Sequence, residues 1–337
     1  MPEGDASTRA DLDARAGEIE SAVRILRAGG LVAIPTETVY GLAADASNPA
    51  ALRRLYEVKG RPLGHPVIVH IAGIEALPHW AARVSEDARR LAETCWPGPL
   101  TLVLPRTSAA VDEVTGGLDT VGLRVPNHPL ALALLRAFEG GLAAPSANRF
   151  GRVSPTTAED VRADLGSDVD LVLDGGPCGV GVESTIVDCS EEGAPPVILR
   201  PGGLTAERIE AILGHPVRQT SEGPSRAPGM LPAHYAPHAR VLVVEDLEAA
   251  RAEATARVAA GERAGLLTAA AMTAPSGVMA LVAGATAEAY ATTLYDRLRE
   301  ADRLGLDVLV VVPPAAVGVG VAVRDRLARA AAGSARG

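Results

Sequence analysis

The chain has 337 residues, more than one hydrophobic core comfortably serves, and its length suits two domains. Hydrophobic residues make up 47% and aromatic residues only 3%, so the interior must be built mainly from Ala, Val and Leu, a composition that suits helices packed on aliphatic strands. A formal net charge of −9 excludes the broad basic footprint that nonspecific nucleic-acid binding needs and leaves room only for a local basic pocket.

Residues 1–15 read as a loose polar lead-in, without the basic and then apolar pattern of a secretory signal. Ile19, Val23 and Leu26 recur at helical spacing, and Gly29-Gly30 supplies a stop. The run 31–34 predicts a buried strand ending at Pro35, followed by a polar loop over 35–46. Asn48-Pro49 starts the next helix, with Asn as cap and Pro at the first helical position. Its face carries Leu52, Leu55 and Tyr56, and it ends near Lys59. Strands are predicted at 66–71, 100–105, 121–125, 171–173, 184–189 and 197–200, and helices near 85–94, 129–138, 157–165 and 205–213. This mixed order assigns residues 1–215 to one α/β domain. Residues 216–239 are rich in Pro, Gly, Ser and His and lack any period, so they read as a linker.

From 240 onward the pattern becomes regular: strand 240–244, helix 247–261, strand 264–268, strand 278–282, helix 286–303, strand 307–312 and helix 321–332. That alternation predicts a small doubly wound α/β domain over 240–337, and no GxGxxG marks a dinucleotide site in it. The longest apolar run, 307–323, is broken by Pro and Gly, so no membrane span is expected. Cys95, Cys178 and Cys189 show no CxxC spacing, which points to a reducing, cytoplasmic setting.

Lys59 is the single lysine among 32 basic residues. A lysine presents a compact point charge where arginine presents a planar fork. It opens KGRPLGHPVIVH, which gathers Lys59, Arg61, His65 and His70; taken alone, this segment reads better as a solvated cationic loop than as a phosphate site. PTETVYGLAADA, residues 35–46, follows the first strand with two threonines and a glutamate, a polar rim or simple turn chemistry. In TVGLRVPNHP, Arg124 sits inside an apolar strand pattern and needs either a carbonyl cage or an anionic partner, which a ligand carboxylate or an internal Asp or Glu would supply equally well. APSANRFGRVSPT offers Ser146, Asn148 and Ser154, while VESTIVD and ILRPGG add Ser184, Thr185 and Arg200. Such loops cradle phosphates through hydroxyls and backbone N–H groups, and no Walker A sequence occurs.

Taken together, PTETVYGL, the KGRP loop, PSAN followed by SPT, and ESTIVD resemble the threonylcarbamoyl-AMP synthase family, built on the YrdC-like domain. The PGM…HYAP stretch and the α/β unit after it resemble the longer, two-domain form. The resemblance implies a YrdC-like twisted mixed sheet domain followed by a small Rossmann-like domain, with residues 216–239 as a lid over the active site. It implies synthesis of L-threonylcarbamoyladenylate from L-threonine, bicarbonate and ATP, a nucleotidyl transfer that serves adenosine 37 of tRNAs reading ANN codons. Carried over by motif position, L-threonine meets Thr38, His70, Arg124 and Ser184. ATP meets Arg61, His65, Thr120, Ser146, Ser154, Arg200 and Tyr235, with Lys59 and Arg61 as the catalytic candidates. Mg2+ is expected on the ATP phosphates, with no metal ligand from protein side chains.

The expected partners are tRNA-modification transfer proteins, with a possible contact to tRNA or double-stranded RNA. An RNA-binding protein and an adenylate sensor without turnover are the competing readings. A hydrogenase-maturation carbamoyltransferase would add an acylphosphatase region and cysteine-rich zinc fingers, and neither is found here.

Overall fold

The computed structural model describes residues 6–220 and 234–335. Its first sheet contains β1 (Val32–Ile34), β2 (Gly41–Asp45), β3 (Ile68–His70), β4 (Leu100–Pro105), β5 (Thr120–Arg124), β6 (Leu142–Ala143), β7 (Leu171–Val172), β8 (Thr185–Asp188), β9 (Val197–Arg200) and β10 (Arg218–Gln219). They lie in the order β10-β9-β8-β4-β5-β3-β6-β2-β1-β7. Parallel pairs such as β3–β5 and β4–β8 alternate with antiparallel pairs such as β4–β5 and β8–β9. The second sheet, β11 (Arg240–Val243), β12 (Ala264–Thr268), β13 (Met279–Val282) and β14 (Val308–Val311), is wholly parallel in the order β11-β14-β12-β13. The helix Leu247–Ala259 packs Ala250 and Ala254 on Leu266 and Val310. The helices Ala287–Arg303 and Gly320–Ser334 pack with Leu267, Leu309 and Val311 in a separate cluster, so this unit is doubly wound.

Three local readings differ from the sequence expectation. The lead-in contains a helix, Ala6–Ala14, whose Leu12 packs against the cluster holding Leu134 and Leu135; Ala and Leu favour helix, and this contact anchors it. The stretch read as a loop over 35–46 contains β2, which turns back on β1 with Ala33 opposite Leu42. Its run Leu42-Ala43-Ala44 is buried on both faces, so the period-two signal is absent and alanine gives little strand propensity. Residues 218–219, within the span read as linker, form edge strand β10 against β9. Residues 221–233 of that span lie outside the described residues.

Local chemistry explains the elements that deliver the site. The helix Pro49–Lys59 begins where Asn48 accepts hydrogen bonds from the Ala50 and Ala51 N–H groups, and it ends at Gly60, whose φ of 64° lets the chain turn toward Arg61. Register places His70 beside Arg124, Thr101 beside Ile186, and Ile186 beside Arg200. The ends of these neighbouring strands therefore share one edge of the sheet.

The two sheets belong to units that share an apolar cluster. Val39, Val153 and Val182 from the first pack with Tyr290, Leu294, Tyr295, Val323 and Leu327 from the second. The approach is close enough that a Cβ on Gly181 (φ 78°) would stand 2.3 Å from the Ala291 carbonyl oxygen. Arg299 grips Asp164 at 2.8 and 3.0 Å across the same boundary. Among the described residues, no helix is long and apolar enough to cross a membrane.

Candidate active site

A narrow cavity of about 50 Å3 opens at the edge where those strands end. β3 contributes His70, β5 Arg124 and β9 Arg200; the turns before β8 and after β6 contribute Ser184 and Ser146. Arg61 enters from the turn after the Lys59 helix, and His234 and Tyr235 close it from the chain that leads to β11. A larger hollow of about 570 Å3 runs beside β11, but its Arg240 and Arg324 are paired with Glu262 and Glu245, so size does not mark the site.

Among the described residues, buried polar atoms without a hydrogen-bond partner gather at the smaller cavity, on four of its lining residues, whereas the larger hollow has Arg240 Nε. His70 Nδ1, His234 Nδ1 and the Tyr235 hydroxyl are buried without a hydrogen-bond partner, and all three residues line the cavity. Native interiors leave few such groups, and their convergence on one hollow indicates groups held for a ligand. Tyr235 also adopts a φ of 61°, a left-handed conformation uncommon for a bulky side chain.

The open question about Arg124 has an answer in part: it has an internal acidic partner, Glu37, with N and O 2.8 Å apart, and its Nε donates to the Gly98 carbonyl at 3.3 Å. The N–H does not point along the line to Glu37, so the contact is an ion pair without a formed hydrogen bond, and the terminal nitrogen keeps its donor capacity. Arg200 donates to the Ser184 carbonyl at 2.8 Å and to its hydroxyl at 3.2 Å, and that hydroxyl shares a 2.8 Å hydrogen bond with Thr101. Thr38 is fully buried with its hydroxyl 2.9 Å from that of Thr36; Thr36 already donates to the Val39 carbonyl, so Thr38 is the donor between them.

Of the other expected site residues, Arg61 lines the cavity and the rest do not. Lys59 donates to the Ser146 carbonyl and, at 2.6 Å, to the Asn148 carbonyl, so its ammonium holds the PSAN loop in place. Burial and then Arg61 push its pKa well down, with the Asp164 charge opposing that shift. Arg61 donates to the Pro66 carbonyl at 2.9 Å and stacks over Phe150, with 5.7 Å to the ring centre. Ser154 donates to Glu183 at 2.7 Å. His65, half-buried against the Phe150 ring, and Thr120, half-buried at the start of β5, do not line the cavity. Thr38, Lys59 and Ser154 do not line it either.

Sequence reasoning passed over Glu183, His234, Tyr295 and Arg326. Glu183 receives Ser154 at 2.7 Å, Arg326 at 2.7 Å and the Tyr295 hydroxyl at 2.8 Å, the last two from the second unit. Glu183 and His234 lie within the ESTIVD and HYAP stretches already singled out, so proximity in sequence could have found them. Arg326 sits 143 residues from Glu183, and nothing local announces the pair.

The same burial makes stability depend on pH. Burial, then Arg124, holds His70 down at about 3, and burial holds His234 at about 3, against an ordinary 6.5. Burial would raise Glu183, but Arg326 and Arg200 outweigh it and hold the carboxyl at about 2. Between pH 6.5 and 3 the unfolded chain binds protons at both histidines that the folded chain refuses, so stability rises with pH across that window. Glu183 adds the same sign below its ordinary 4.5. The urea midpoint should therefore fall steadily as the pH is lowered from 7 to 4; a flat midpoint would contradict the buried neutral histidines.

Known proteins resemble this chain over nearly its whole length. A family model named for Sua5, YciO and YrdC, and described as telomere recombination, matches residues 24–202; a second, described as the threonylcarbamoyl-AMP synthase C-terminal domain, matches 204–332. The chain is 42% identical to the threonylcarbamoyl-AMP synthase of Pyrococcus abyssi, covering 93% of this chain and 94% of the relative. It is also 42% identical to the Bacillus subtilis protein of that name, covering 94% and 93%. The crystal structure of P. abyssi Sua5 complexed with L-threonine superposes with a TM-score of 0.88 at 41% identity over 94% of each chain.

Proposed function

The chain belongs to the threonylcarbamoyl-AMP synthase family, and from that premise we propose that it condenses L-threonine, bicarbonate and ATP to threonylcarbamoyl-AMP, releasing pyrophosphate. The product serves N6-threonylcarbamoylation of adenosine 37 in tRNAs that read ANN codons. The observation that carries this reading is the convergence of Arg61, Arg124, Arg200 and three unpartnered buried polar atoms on one cavity of an otherwise acidic chain. ATP, bicarbonate and the amino-acid carboxylate bring several negative charges together, and a preorganised cationic cavity is the complement they need.

In this reading, Arg124 takes the threonine carboxylate, with Thr38, His70 and Ser184 around the rest of the amino acid. Arg61, His65, Thr120, Ser146, Ser154, Arg200 and Tyr235 serve the nucleotide, either at the cavity or by shaping its wall. Lys59 acts through the Ser146 and Asn148 carbonyls it holds. The neutral threonine amine attacks bicarbonate-derived carbon, losing water to give a carbamate. A carbamate oxygen then displaces pyrophosphate at the α-phosphorus of ATP, a nucleotidyl transfer governed by positioning and charge stabilisation. His70, held at about 3, is too weak a base to keep the amine proton and serves as a neutral hydrogen-bonding group.

Among the described residues, no group of three or more His, Cys, Asp or Glu is arranged to hold a metal, and Glu183 is already committed to Arg326. In this reading Mg2+ would come bound to the ATP phosphates and offset the charge of the departing pyrophosphate. Transfer proteins of tRNA modification would receive the product, a tRNA or RNA contact remains an expectation, and a cytoplasmic location suits these substrates.

The P. abyssi complex with L-threonine supports the amino-acid assignment. Calorimetric titration with L-threonine and D-threonine tests it, with Mg-ATP present and absent. L-threonine should bind and D-threonine should not; indifference to the enantiomer, or no binding under either condition, would overturn the reading.

A further inference from the structure

Arg326 has no exposed surface, yet it belongs to the helix Gly320–Ser334 of the second unit. A guanidinium drawn fully out of water must be met by partners on every side. Its Nε donates to Glu183 at 2.7 Å, one terminal nitrogen donates to the Pro201 carbonyl at 3.0 Å, and the other donates to Asp325 at 2.6 Å. Its carbon lies 5.3 Å from the centre of the Tyr235 ring, which stacks in turn on Tyr295 at 5.6 Å.

The two partners in the first unit have a common meaning. Glu183 immediately precedes Ser184, and Pro201 immediately follows Arg200. One rigid fork thus spans the start of β8 and the end of β9, the two points that present Ser184 and Arg200 to the cavity. The backbones there are already in contact: a Cβ on Gly202 would stand 2.3 Å from the Glu183 carbonyl oxygen and 2.4 Å from the Thr185 nitrogen. No slack remains for these chain ends to shift independently.

We propose that Arg326 is a positioning residue for the synthase reaction: by clamping Glu183 and the Pro201 carbonyl, and by backing Tyr235, it sets Ser184 and Arg200 and makes turnover depend on the docked second unit. This rests on the synthase reading above. A lysine at the same place keeps the charge but loses the planar fork that aims three separate nitrogens at Glu183, Pro201 and Asp325.

The test compares the full-length chain with Arg326→Lys and Arg326→Ala, reading kcat and KM for each substrate together with the folded fraction by circular dichroism. Arg326→Lys should fold and still lose about 100-fold in kcat/KM, the scale expected when reacting groups are misplaced by about an ångström. Guanidinium chloride at low, non-denaturing concentration should restore part of the Arg326→Ala activity, while sodium chloride at equal concentration should not. Arg326→Lys turning over like the parent would overturn the proposal. So would losses in both variants that follow the unfolded fraction alone with no guanidinium rescue. An inactive parent chain would instead sink the synthase reading, so the two failures are distinguishable.

Discussion

Arg124→Gln is expected to raise the KM for L-threonine by about 30- to 1000-fold while leaving the KM for ATP much closer to the parent value. The range follows from about 2–4 kcal/mol lost when one partner of a buried charge pair is truncated. Arg124 stands at the end of β5 beside His70, and its terminal nitrogen approaches Glu37 without forming a hydrogen bond. A threonine carboxylate would supply the directed acceptor that Glu37 does not. Glutamine keeps much of the volume and an amide N–H2, so packing should survive while the charge contact is lost. Steady-state kinetics with each substrate varied in turn checks this; an unchanged KM for L-threonine would remove Arg124 from the amino-acid site.

Glu183→Ala should have the largest effect on stability, about 3–5 kcal/mol by urea denaturation. It leaves the fully buried Arg326 with Asp325 as its remaining carboxylate, its Nε without an acceptor, and the Ser154 and Tyr295 hydroxyls without theirs. The double replacement Glu183→Gln with Arg326→Met removes both charges together and should recover most of that loss, because two uncharged groups of similar volume need no mutual compensation. A loss below about 1 kcal/mol for the single variant would mean that water or another cation compensates the site. Stability and activity should separate in the double variant: it should fold well and still turn over poorly, since the clamp across Glu183 and Pro201 is gone.

Much of the fold was legible where local chemistry acts alone. Asn48-Pro49 announces its helix through a side-chain cap, and the aliphatic runs at β4 and β12 announce strands through burial on both faces. The strand β2 was illegible because Leu42-Ala43-Ala44 carries neither alternation nor β-branching and depends on β1 and β6 for pairing. Among the candidate site residues, Arg124, His70, Ser184 and Arg200 meet at one cavity because adjacent strands end together, a consequence of register that no single segment displays. Lys59 carried the strongest compositional signal, yet it faces two carbonyls behind the wall, since an unusual residue type does not reveal which way its side chain turns. Arg326 was the least legible of all. It reads as one more arginine on an Arg- and Ala-rich helix until the second unit docks and buries it against Glu183.

The most direct test of the account is pyrophosphate release by the full-length chain with Mg-ATP, in the presence and absence of L-threonine and bicarbonate. Release should require both co-substrates and should be matched by a threonylcarbamoyl adenylate seen by mass spectrometry. Release indifferent to threonine and bicarbonate, or ATP binding with no turnover when all substrates are present, would contradict the synthase assignment.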